Sequence, residues 1–455
     1  MLFNEVLWDH ELIAKYDKPA PRYTSYPTAL EFDQQLSEQD LLQAFQKYTD
    51  KNLSVYVHIP FCHKLCYFCG CNKVVTTHQE KADIYLDFLE REIKARAPLF
   101  KNRTVTQLHW GGGTPTYLTC AQASRLMDLL KNYFHVHTEA EISLEMDPRK
   151  IDNTYLYYLK TLGFNRISIG IQDFNIEVQR LINREQDEGQ IFGLVQYAKE
   201  LGFKSISVDL IYGLPKQTLD SFHHTLEKVK ELDPDRISVF NFAYLPNLIK
   251  AHKMINAEDI PDAELKLEMF QDTIQFFQNS DYQFIGMDHF AKKTDELAIL
   301  QNERRLHRNF QGYTTQGESD LLGLGVSAIS MIGDVYAQNE KILSQYYEAV
   351  KQKETALLRG FKLSEEDCMR RDIIKQIVCD FQLQFADYEK KYHINFKDKF
   401  YEELEELRTF SEDGLLELNE QGFTVMPVGR LLIRHIAMAF DVYSKAKQQI
   451  FSKAI

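Results

Sequence analysis

A regular alternation of strand-like and helix-like patterns begins near Leu53. The strand-like segments are SVYVHIP, TQLHWGG, AEISLEMDP, RISIGIQDF, SISVDLIYGLP, RISVFNFAYLP and YQFIGMDHF. Their short apolar runs are typical of buried strands, and most consecutive pairs are separated by a helical pattern such as AQASRLMDLLKNYF or TLEKVKELD. Because repeated βα units favour parallel strands, the sequence predicts an α/β fold.

Two architectures are built from such repeats, an open doubly wound sheet and a (β/α) barrel. The G-x-G-x-x-G turn of a dinucleotide-binding sheet is missing, and the βα unit recurs without a break toward Phe290. We therefore predict an incomplete parallel (β/α) barrel. The apolar, glycine-spaced segment LLGLGVSAISMIGDVY, residues 321–336, is predicted to be a buried closing element.

The strands also separate an apolar face from a small or polar one. In AEISLEMDP, Ile142 and Leu144 alternate with polar residues that include Glu145, and Gln172 and Asp209 lie at matching positions of the next two strands. A closed barrel fills its interior with bulky branched residues. A polar inner face therefore predicts an open lumen in which a ligand binds.

Composition divides the chain into three predicted segments. Residues 1–50 form an N-terminal arm whose PRYTSYPTALEF run cannot continue as a helix; it is either laid on the surface or a lid over the active site. Residues 51–353 form the barrel. Residues 354–455 form a smaller, mainly α, winged-helix-like C-terminal domain, in which Ser364 and Asp367 open a helix as a capping box and LLELNEQGFTV is a hairpin.

Charge and cysteine content exclude several classes of protein. The 455 residues carry a net charge of -13, which argues against a nucleic-acid partner. No apolar stretch approaches the ~20 residues of a membrane span, so we expect no membrane partner. An odd number of cysteines, several of them crowded together, does not suit a disulfide framework. Reduced thiols predict a cytoplasmic protein.

The crowded cysteines form a C-x3-C-x2-C run, Cys62, Cys66 and Cys69, directly after the first strand. Iron-sulfur clusters use such tight spacings, whereas structural zinc draws on two separated pairs; incidental buried thiols are the third interpretation. Cys71 would point away on an extended chain, so we interpret it as a neighbour and not a ligand. The remaining cysteines stand apart in the sequence, and these are Cys120, Cys368 and Cys379. A four-iron cluster on this loop would therefore keep one iron without a cysteine ligand.

Further polar groups follow the later strands. The glycines of HWGGGTPT would let the backbone approach a ligand closely. The same glycines would also suit a tight strand-to-helix turn that binds no ligand. Glu145, Gln172 and Asp209 need partners if buried, and these are either a ligand or an internal network with Arg166, Arg184 or Lys216. Tyr56 and His58 share one face of the first strand beside the cysteine run, and His58 is either a core imidazole or a functional group.

YVHIPFCHKLCYFCGCN, HWGGGTPT, PRYTSYPTA, GIQDFN and DLIYGLPKQT together resemble the oxygen-independent coproporphyrinogen III dehydrogenases, radical S-adenosylmethionine (SAM) enzymes of haem biosynthesis. The resemblance covers essentially the whole chain. It implies a 4Fe-4S cluster on Cys62, Cys66 and Cys69. It also implies one SAM contacted by Tyr56, Gly112, Glu145 and Ile329, and a second SAM at the following positions: Phe68, Gly113, Thr114, Gln172, Arg184, Asp209 and Ala243.

The same resemblance implies the reaction. An electron donor reduces the cluster, SAM is cleaved to methionine and a 5'-deoxyadenosyl radical, and the radical takes hydrogen from a propionate of coproporphyrinogen III. Carbon dioxide leaves and one electron passes to an acceptor. Two propionates react, giving protoporphyrinogen IX. We expect a monomer in which Tyr56 and His58 are the catalytic candidates.

Substrate recognition is the least determined part of the sequence. A tetracarboxylate needs basic groups, and Arg22 and Arg308 are our candidates because both lie in aromatic stretches. Two alternatives stay open at this point. One is a haem-carrying protein of the same superfamily, and the other is a structural zinc-binding interaction protein.

Overall fold

A computed structural model of the chain describes residues 5–16, 18–317 and 319–444. The α-helices are α1 (His10–Tyr16), α2 (Glu38–Lys47), α3 (Glu80–Arg96), α4 (Cys120–Tyr133), α5 (Asn153–Leu162), α6 (Ile176–Leu181), α7 (Glu188–Glu200), α8 (Leu219–Leu232), α9 (Ala263–Gln278), α10 (Glu296–Asn302), α11 (Leu343–Lys353), α12 (Glu365–Asp380), α13 (Phe385–Tyr392), α14 (Phe396–Lys399), α15 (Tyr401–Glu412) and α16 (Ile433–Met438). The strands are β1 (Leu53–Ile59), β2 (Phe61–Cys62), β3 (Val74–Val75), β4 (Thr104–Gly112), β5 (His135–Met146), β6 (Arg166–Gln172), β7 (Ser205–Tyr212), β8 (Arg236–Asn241), β9 (Tyr282–Gly286), β10 (His289–Lys292), β11 (His307–Asn309), β12 (Gly312–Thr314), β13 (Asp320–Leu324), β14 (Ile329–Ile332), β15 (Val335–Asn339), β16 (Leu357–Lys362), β17 (Gln382–Gln384), β18 (Leu416–Asn419) and β19 (Gly422–Val425).

The chain packs into two compact units. The barrel unit comprises residues 32–269 and 318–362, and the second unit comprises residues 1–31, 270–317 and 363–455. The division into an arm of residues 1–50, a barrel of residues 51–353 and a C-terminal domain of residues 354–455 stays a prediction. Residues 1–4 and 445–455 of its outer segments lie outside the described residues.

The barrel unit is organised around one sheet with the strand order β16-β15-β14-β13-β1-β4-β5-β6-β7-β8. Neighbouring strands from β13 to β8 run parallel, and helices connect β1 to β4 and each later strand to the next. Apart from β2 and β3, which pair with each other, each strand from β1 to β8 lies beside its sequence predecessor, without the reversal that defines a doubly wound sheet. This order confirms the predicted α/β fold and its incomplete parallel barrel.

Alternation along the strands decides which side chains face the helices. In β5, Ile142, Leu144 and Met146 are buried, while Ser143 and Glu145 between them are only partly enclosed. Apolar side chains on one face gain free energy by leaving water, which fixes the register and turns the polar set to the opposite face. The polar inner face predicted from the sequence is therefore confirmed for β5.

The predicted closing segment, residues 321–336, extends the sheet beyond β1. Strand β13 pairs parallel with β1 and is buried along its length, and β14 to β16 continue as an antiparallel meander. Burial on both faces suits its near-continuous apolar sequence. The expected burial is confirmed for β13, while a role in closing the barrel stays a prediction.

The second unit corrects one strand prediction. YQFIGMDHF is not another parallel strand but an antiparallel hairpin of β9 and β10, turning at Met287, whose φ is 57°. An apolar run shows that a segment is buried but does not give its strand direction. The predicted capping box at Ser364 and the hairpin of β18 and β19 are confirmed, and β17 joins that hairpin as a third strand.

The PRYTSYP segment is irregular, as predicted, but its tyrosines do not lie on the surface. Tyr23 and Tyr26 are 4% and 2% exposed, and the Tyr23 hydroxyl donates to Asp441 at 3.1 Å within the second unit. These two side chains anchor the segment within the second unit, and both the surface arm and the lid stay predictions.

Among the described residues, no helix combines the length and the apolar character that crossing a membrane requires.

Candidate iron-sulfur and cofactor site

A cavity of about 350 Å³ opens at the carboxyl ends of the parallel strands in the barrel unit. This is the end at which (β/α) barrels place their active sites. Most of the site residues predicted from the sequence border it: Cys62, Cys66, Phe68, Cys69, Gly112, Gly113, Thr114, Glu145, Gln172, Arg184 and Asp209. Residues separated by more than a hundred positions in the sequence therefore meet at one cavity.

Two of the cysteine sulfurs already have hydrogen-bond donors. The Thr114 hydroxyl lies 3.4 Å from Cys62 Sγ, and Arg149 Nη2 and Arg184 Nη1 each lie 3.4 Å from Cys66 Sγ. Donors at sulfur stabilise the thiolate form, the form that binds metal. Burial raises the pKa of Cys62 to about 11, a cost that a bound cation reverses.

The sulfurs are spread around the cavity instead of gathered at a point. Among the described residues, no three His, Cys, Asp or Glu side chains converge as they would around a single ion. Cys62, Cys66 and Cys69 instead border one space lined by donors and cationic side chains. Three thiolates around such a space suit an anionic iron-sulfur cluster.

Cys71 lies closer to the cysteine run than the sequence interpretation assumed. The loop at Cys69 is not extended, and the two thiols share a hydrogen bond that lowers the pKa of Cys69 and raises that of Cys71. Lys73 Nζ also donates to the Cys69 carbonyl at 2.7 Å. The expectation that Cys71 points away is therefore wrong, while its assignment as a non-ligand stays a prediction.

Distant segments hold the cysteine loop in place. Asn183 donates to the carbonyl of Leu65 at 2.7 Å, and His252 Nε2 lies 3.0 Å from the carbonyl oxygen of Phe68. The Leu245 N–H donates to His252 Nδ1, so Nε2 carries the proton and donates to the loop. No local pattern in the sequence points to this role of His252, because it lies 184 residues from Phe68.

The glycine turn after β4 is needed for packing against the protein itself. A Cβ atom at Gly112, whose φ is +115°, would lie 2.6 Å from the His58 ring, and one at Gly111 would lie 2.9 Å from Glu145. Only glycine allows the turn to approach these side chains. The Gly112 N–H uses this proximity to donate to Glu145 Oε2 at 3.0 Å.

Glu145 presents a charged carboxylate to the cavity. Burial would raise its pKa, but His109, 3.6 Å away, and the Gly112 N–H outweigh burial and lower it. Its side chain is 46% exposed, and that exposure opens into the space that the cysteines also border. Glu145 can therefore accept hydrogen bonds from a cationic ligand.

Tyr56 and His58 form a short chain beside the glycine turn. The Tyr56 hydroxyl lies 3.1 Å from His58 Nδ1, and His58 Nε2 lies 2.9 Å from the carbonyl oxygen of Asn72. The carbonyl accepts, so Nε2 carries the proton and Nδ1 accepts from Tyr56. Burial lowers the pKa of His58, which favours this neutral imidazole.

An ion-pair group that sequence analysis missed lies beside Cys66. Asp147 is 2.5 Å from Arg149 and 3.4 Å from Arg184. Burial opposes ionisation, but Arg184 and Arg149 outweigh it and hold the pKa of Asp147 at about 2. The signal was present in EMDPRK, where charged residues directly follow β5, but their contact with Cys66 depends on the tertiary fold.

The three basic residues considered as network partners of the inner-face polar groups lie apart, and the contacts of Arg184 are with Gly170, Asp147 and Cys66. Arg184 reaches the cavity and donates to the Gly170 carbonyl at 2.6 Å. Arg166 instead lies 3.5 Å from Glu141, and Lys216 lies 3.3 Å from Glu177. These two basic residues therefore pair away from the cavity.

Not every predicted site residue borders this cavity. Of the described residues, Tyr56, His58, Ala243 and Ile329 do not line it, so their assignments stay predictions. The substrate candidates Arg22 and Arg308 both belong to the second unit. Arg22 is ion-paired with Asp288, and Arg308 is buried.

Comparison with known proteins gives two family matches. Residues 56–229 match the Radical SAM superfamily and residues 363–432 match the HemN C-terminal domain. The chain is 58% identical to the oxygen-independent coproporphyrinogen III oxidase of Escherichia coli (strain K12), with both chains covered completely, and 48% identical to that of Synechocystis, with 100% and 99% covered. A solved structure described as coproporphyrinogen III oxidase (HemN) from Escherichia coli, a radical SAM enzyme, aligns with a TM-score of 0.93 and 56% identity, covering 96% of this chain and 100% of that one.

Proposed function

Because the chain belongs to the oxygen-independent coproporphyrinogen III oxidases of the radical SAM superfamily, we propose that it converts coproporphyrinogen III to protoporphyrinogen IX. In this reaction, two propionate side chains lose carbon dioxide and become vinyl groups. One observation carries the proposal: the cysteine run, Glu145 and Arg184 border a single cavity at the strand ends. The chain is a radical SAM enzyme, with a 4Fe-4S cluster and SAM as its cofactors.

The residues around the cavity fit these cofactors. Cys62, Cys66 and Cys69 would hold the cluster, and the donors at Thr114, Arg149 and Arg184 would stabilise its sulfur ligands. When bound, the cluster and SAM would supply the one-electron radical chemistry that the oxidation of a propionate requires. The protein itself binds and orients the substrate and excludes water.

Glu145 is the residue we assign to the SAM beside the cluster. Its ionised carboxylate would accept hydrogen bonds from the ammonium of the methionine part, and the glycine turn would bring backbone close to the same ligand. Tyr56 and Ile329 complete this set by resemblance. The second SAM would use the other predicted residues: Phe68, Gly113, Thr114, Gln172, Arg184, Asp209 and Ala243.

His58 acts as a positioning residue in this proposal. Both of its ring nitrogens are engaged, so it neither takes nor gives a proton without breaking a buried hydrogen bond. It fixes the Tyr56 hydroxyl on one side and the loop carbonyl of Asn72 on the other. The loop that carries the cysteines is therefore tied to β1.

Several finer expectations stay predictions: the electron donor, the electron acceptor, the monomeric state and the cytoplasmic location. The alternative of a haem carrier is distinguished by turnover. Reduced enzyme incubated anaerobically with SAM, coproporphyrinogen III and a one-electron acceptor should form protoporphyrinogen IX over many turnovers. Stoichiometric haem binding without decarboxylation would assign the chain to the carriers instead.

A further inference from the structure

Arg308 is a buried arginine whose guanidinium lacks hydrogen-bond acceptors. It is 8% exposed, and its Nε and Nη1 atoms are enclosed without a hydrogen-bond partner. Burying an ion costs several kcal/mol unless a counter-charge and hydrogen bonds compensate, and arginine stays charged at any pH at which the protein is folded. A group arranged in this way is suited to an anion that arrives from outside the chain.

The arginine is held rigidly. Arg308 in β11 lies directly opposite Tyr313 in β12, and its guanidinium carbon is 4.6 Å from the centre of the Tyr313 ring. The Tyr313 hydroxyl donates to the Val378 carbonyl at 3.1 Å, and the ring fits against Gly286, where a Cβ would lie 2.2 Å from the hydroxyl oxygen. The ring face attracts the cation but accepts none of its in-plane N–H groups.

The neighbouring carboxylate is already committed to other partners. Asp288 is ion-paired with Arg22, and its Oδ1 lies 2.7 Å from His289 Nδ1. Burial would raise the pKa of Asp288, yet Arg22, His289 and Arg308 outweigh burial and hold it well below its usual range. Arg308 therefore acts on Asp288 through its charge alone, while Arg22 and His289 lie within ion-pair distance of that carboxylate.

We propose that Arg308 binds a carboxylate of the porphyrinogen substrate, and that Arg22 supports the site as the ion-pair partner of Asp288 without contacting substrate. The planar fork of the guanidinium matches a carboxylate through parallel N–H donors. The ligand class is thus a propionate side chain of a tetrapyrrole. This inference rests on the proposed function, because that function supplies the tetracarboxylate.

The test measures binding instead of turnover. Anaerobic enzyme with its cluster is titrated with coproporphyrin III, the stable oxidised form that keeps all four propionates, and with its tetramethyl ester, which has no carboxylates. Arg308→Met should raise the Kd for the acid about tenfold or more, since it removes a charge-assisted hydrogen bond. Its Kd for the ester should stay unchanged. Arg308→Lys should lie between Arg308→Met and wild type.

The matched control is Arg305→Met, because Arg305 lies three residues away and its side chain is 70% exposed. It should leave both affinities unchanged. Unaltered acid binding in Arg308→Met would overturn the inference, as would equal weakening of acid and ester, which would indicate disturbed packing. Product formation by the wild type is measured separately. If the wild type forms product normally and Arg308→Met binds the acid as wild type does, the Arg308 site is wrong but the proposed function stands.

Discussion

His252 Nε2 lies 3.0 Å from the main-chain oxygen of Phe68, between two of the cysteines that we assign to the cluster. The imidazole is 1% exposed, and its other nitrogen accepts from the Leu245 N–H. One buried side chain therefore fixes the cysteine loop to a segment beyond β8. Such contacts orient metal ligands without touching the metal.

We expect His252→Ala to loosen this loop. Two partly buried backbone groups, of Phe68 and Leu245, each lose a hydrogen bond, so the free energy of unfolding of cluster-free protein should fall by about 1–3 kcal/mol in urea titrations. The reconstituted cluster should also lose iron faster to a chelator. His224→Ala is the control, since the His224 side chain is 60% exposed on α8. Equal iron loss in the two variants would remove His252 from loop positioning.

The cysteine assignments predict a split in iron content. Cys66→Ser should abolish the cluster, whereas Cys71→Ser should keep about four irons per chain after anaerobic reconstitution. The reason is that Cys71 donates a hydrogen bond to Cys69 without being needed as a ligand. Iron and sulfide assays decide the matter. Loss of iron in Cys71→Ser would make Cys71 a ligand.

Glu145→Ala should weaken SAM binding while leaving the iron content unchanged. A hydrogen bond to a charged group contributes roughly 1.5 to 3 kcal/mol, which corresponds to about a tenfold to hundredfold change in Kd by calorimetry. Glu139→Ala is the matched control, because Glu139 lies on the same strand with a 75% exposed side chain. Equal affinity in the two variants would place the methionine ammonium elsewhere.

Arg149→Met should lower the midpoint potential of the cluster. Hydrogen bonds to cluster sulfurs stabilise the more electron-rich reduced state, and losing one of about 1 kcal/mol corresponds to roughly 40 mV for one electron. Arg184 still lowers the pKa of Asp147 in the variant, so we expect this carboxyl to stay ionised and the effect to be equal at pH 7 and pH 9. A redox titration followed by electron paramagnetic resonance measures it, with Arg125→Met, whose side chain is 34% exposed, as control. An unchanged or higher potential would contradict this role.

Local patterns in the sequence were sufficient for much of the fold and for the core of the site. The period-2 alternation placed Glu145 on the inner face, and the cysteine spacing marked the loop. Strand direction was not encoded in the apolar run YQFIGMDHF, which became a hairpin. The Cys71 thiol was misplaced because a local turn replaced the extended chain that spacing alone suggests.

Contacts between distant segments could not be predicted in the same way. His252 meets Phe68, and Arg149 meets Cys66, only because parallel strands bring their carboxyl ends to one edge. A single residue that belongs to no periodic pattern does not indicate which distant residue it will contact in the fold. The distinction between Arg22 and Arg308 likewise depends on which guanidinium lies within ion-pair distance of Asp288.

The measurement that tests the proposed reaction most directly follows three products together. Reduced enzyme is incubated anaerobically with SAM, a one-electron acceptor and coproporphyrinogen III deuterated on its propionate side chains. The amounts of 5'-deoxyadenosine, carbon dioxide and protoporphyrinogen IX are then measured. We predict that all three depend on substrate and that deuterium appears in 5'-deoxyadenosine, because the radical removes that hydrogen. The proposed reaction would be contradicted if 5'-deoxyadenosine formed but carried no deuterium, or if it formed while no carbon dioxide and no protoporphyrinogen IX appeared.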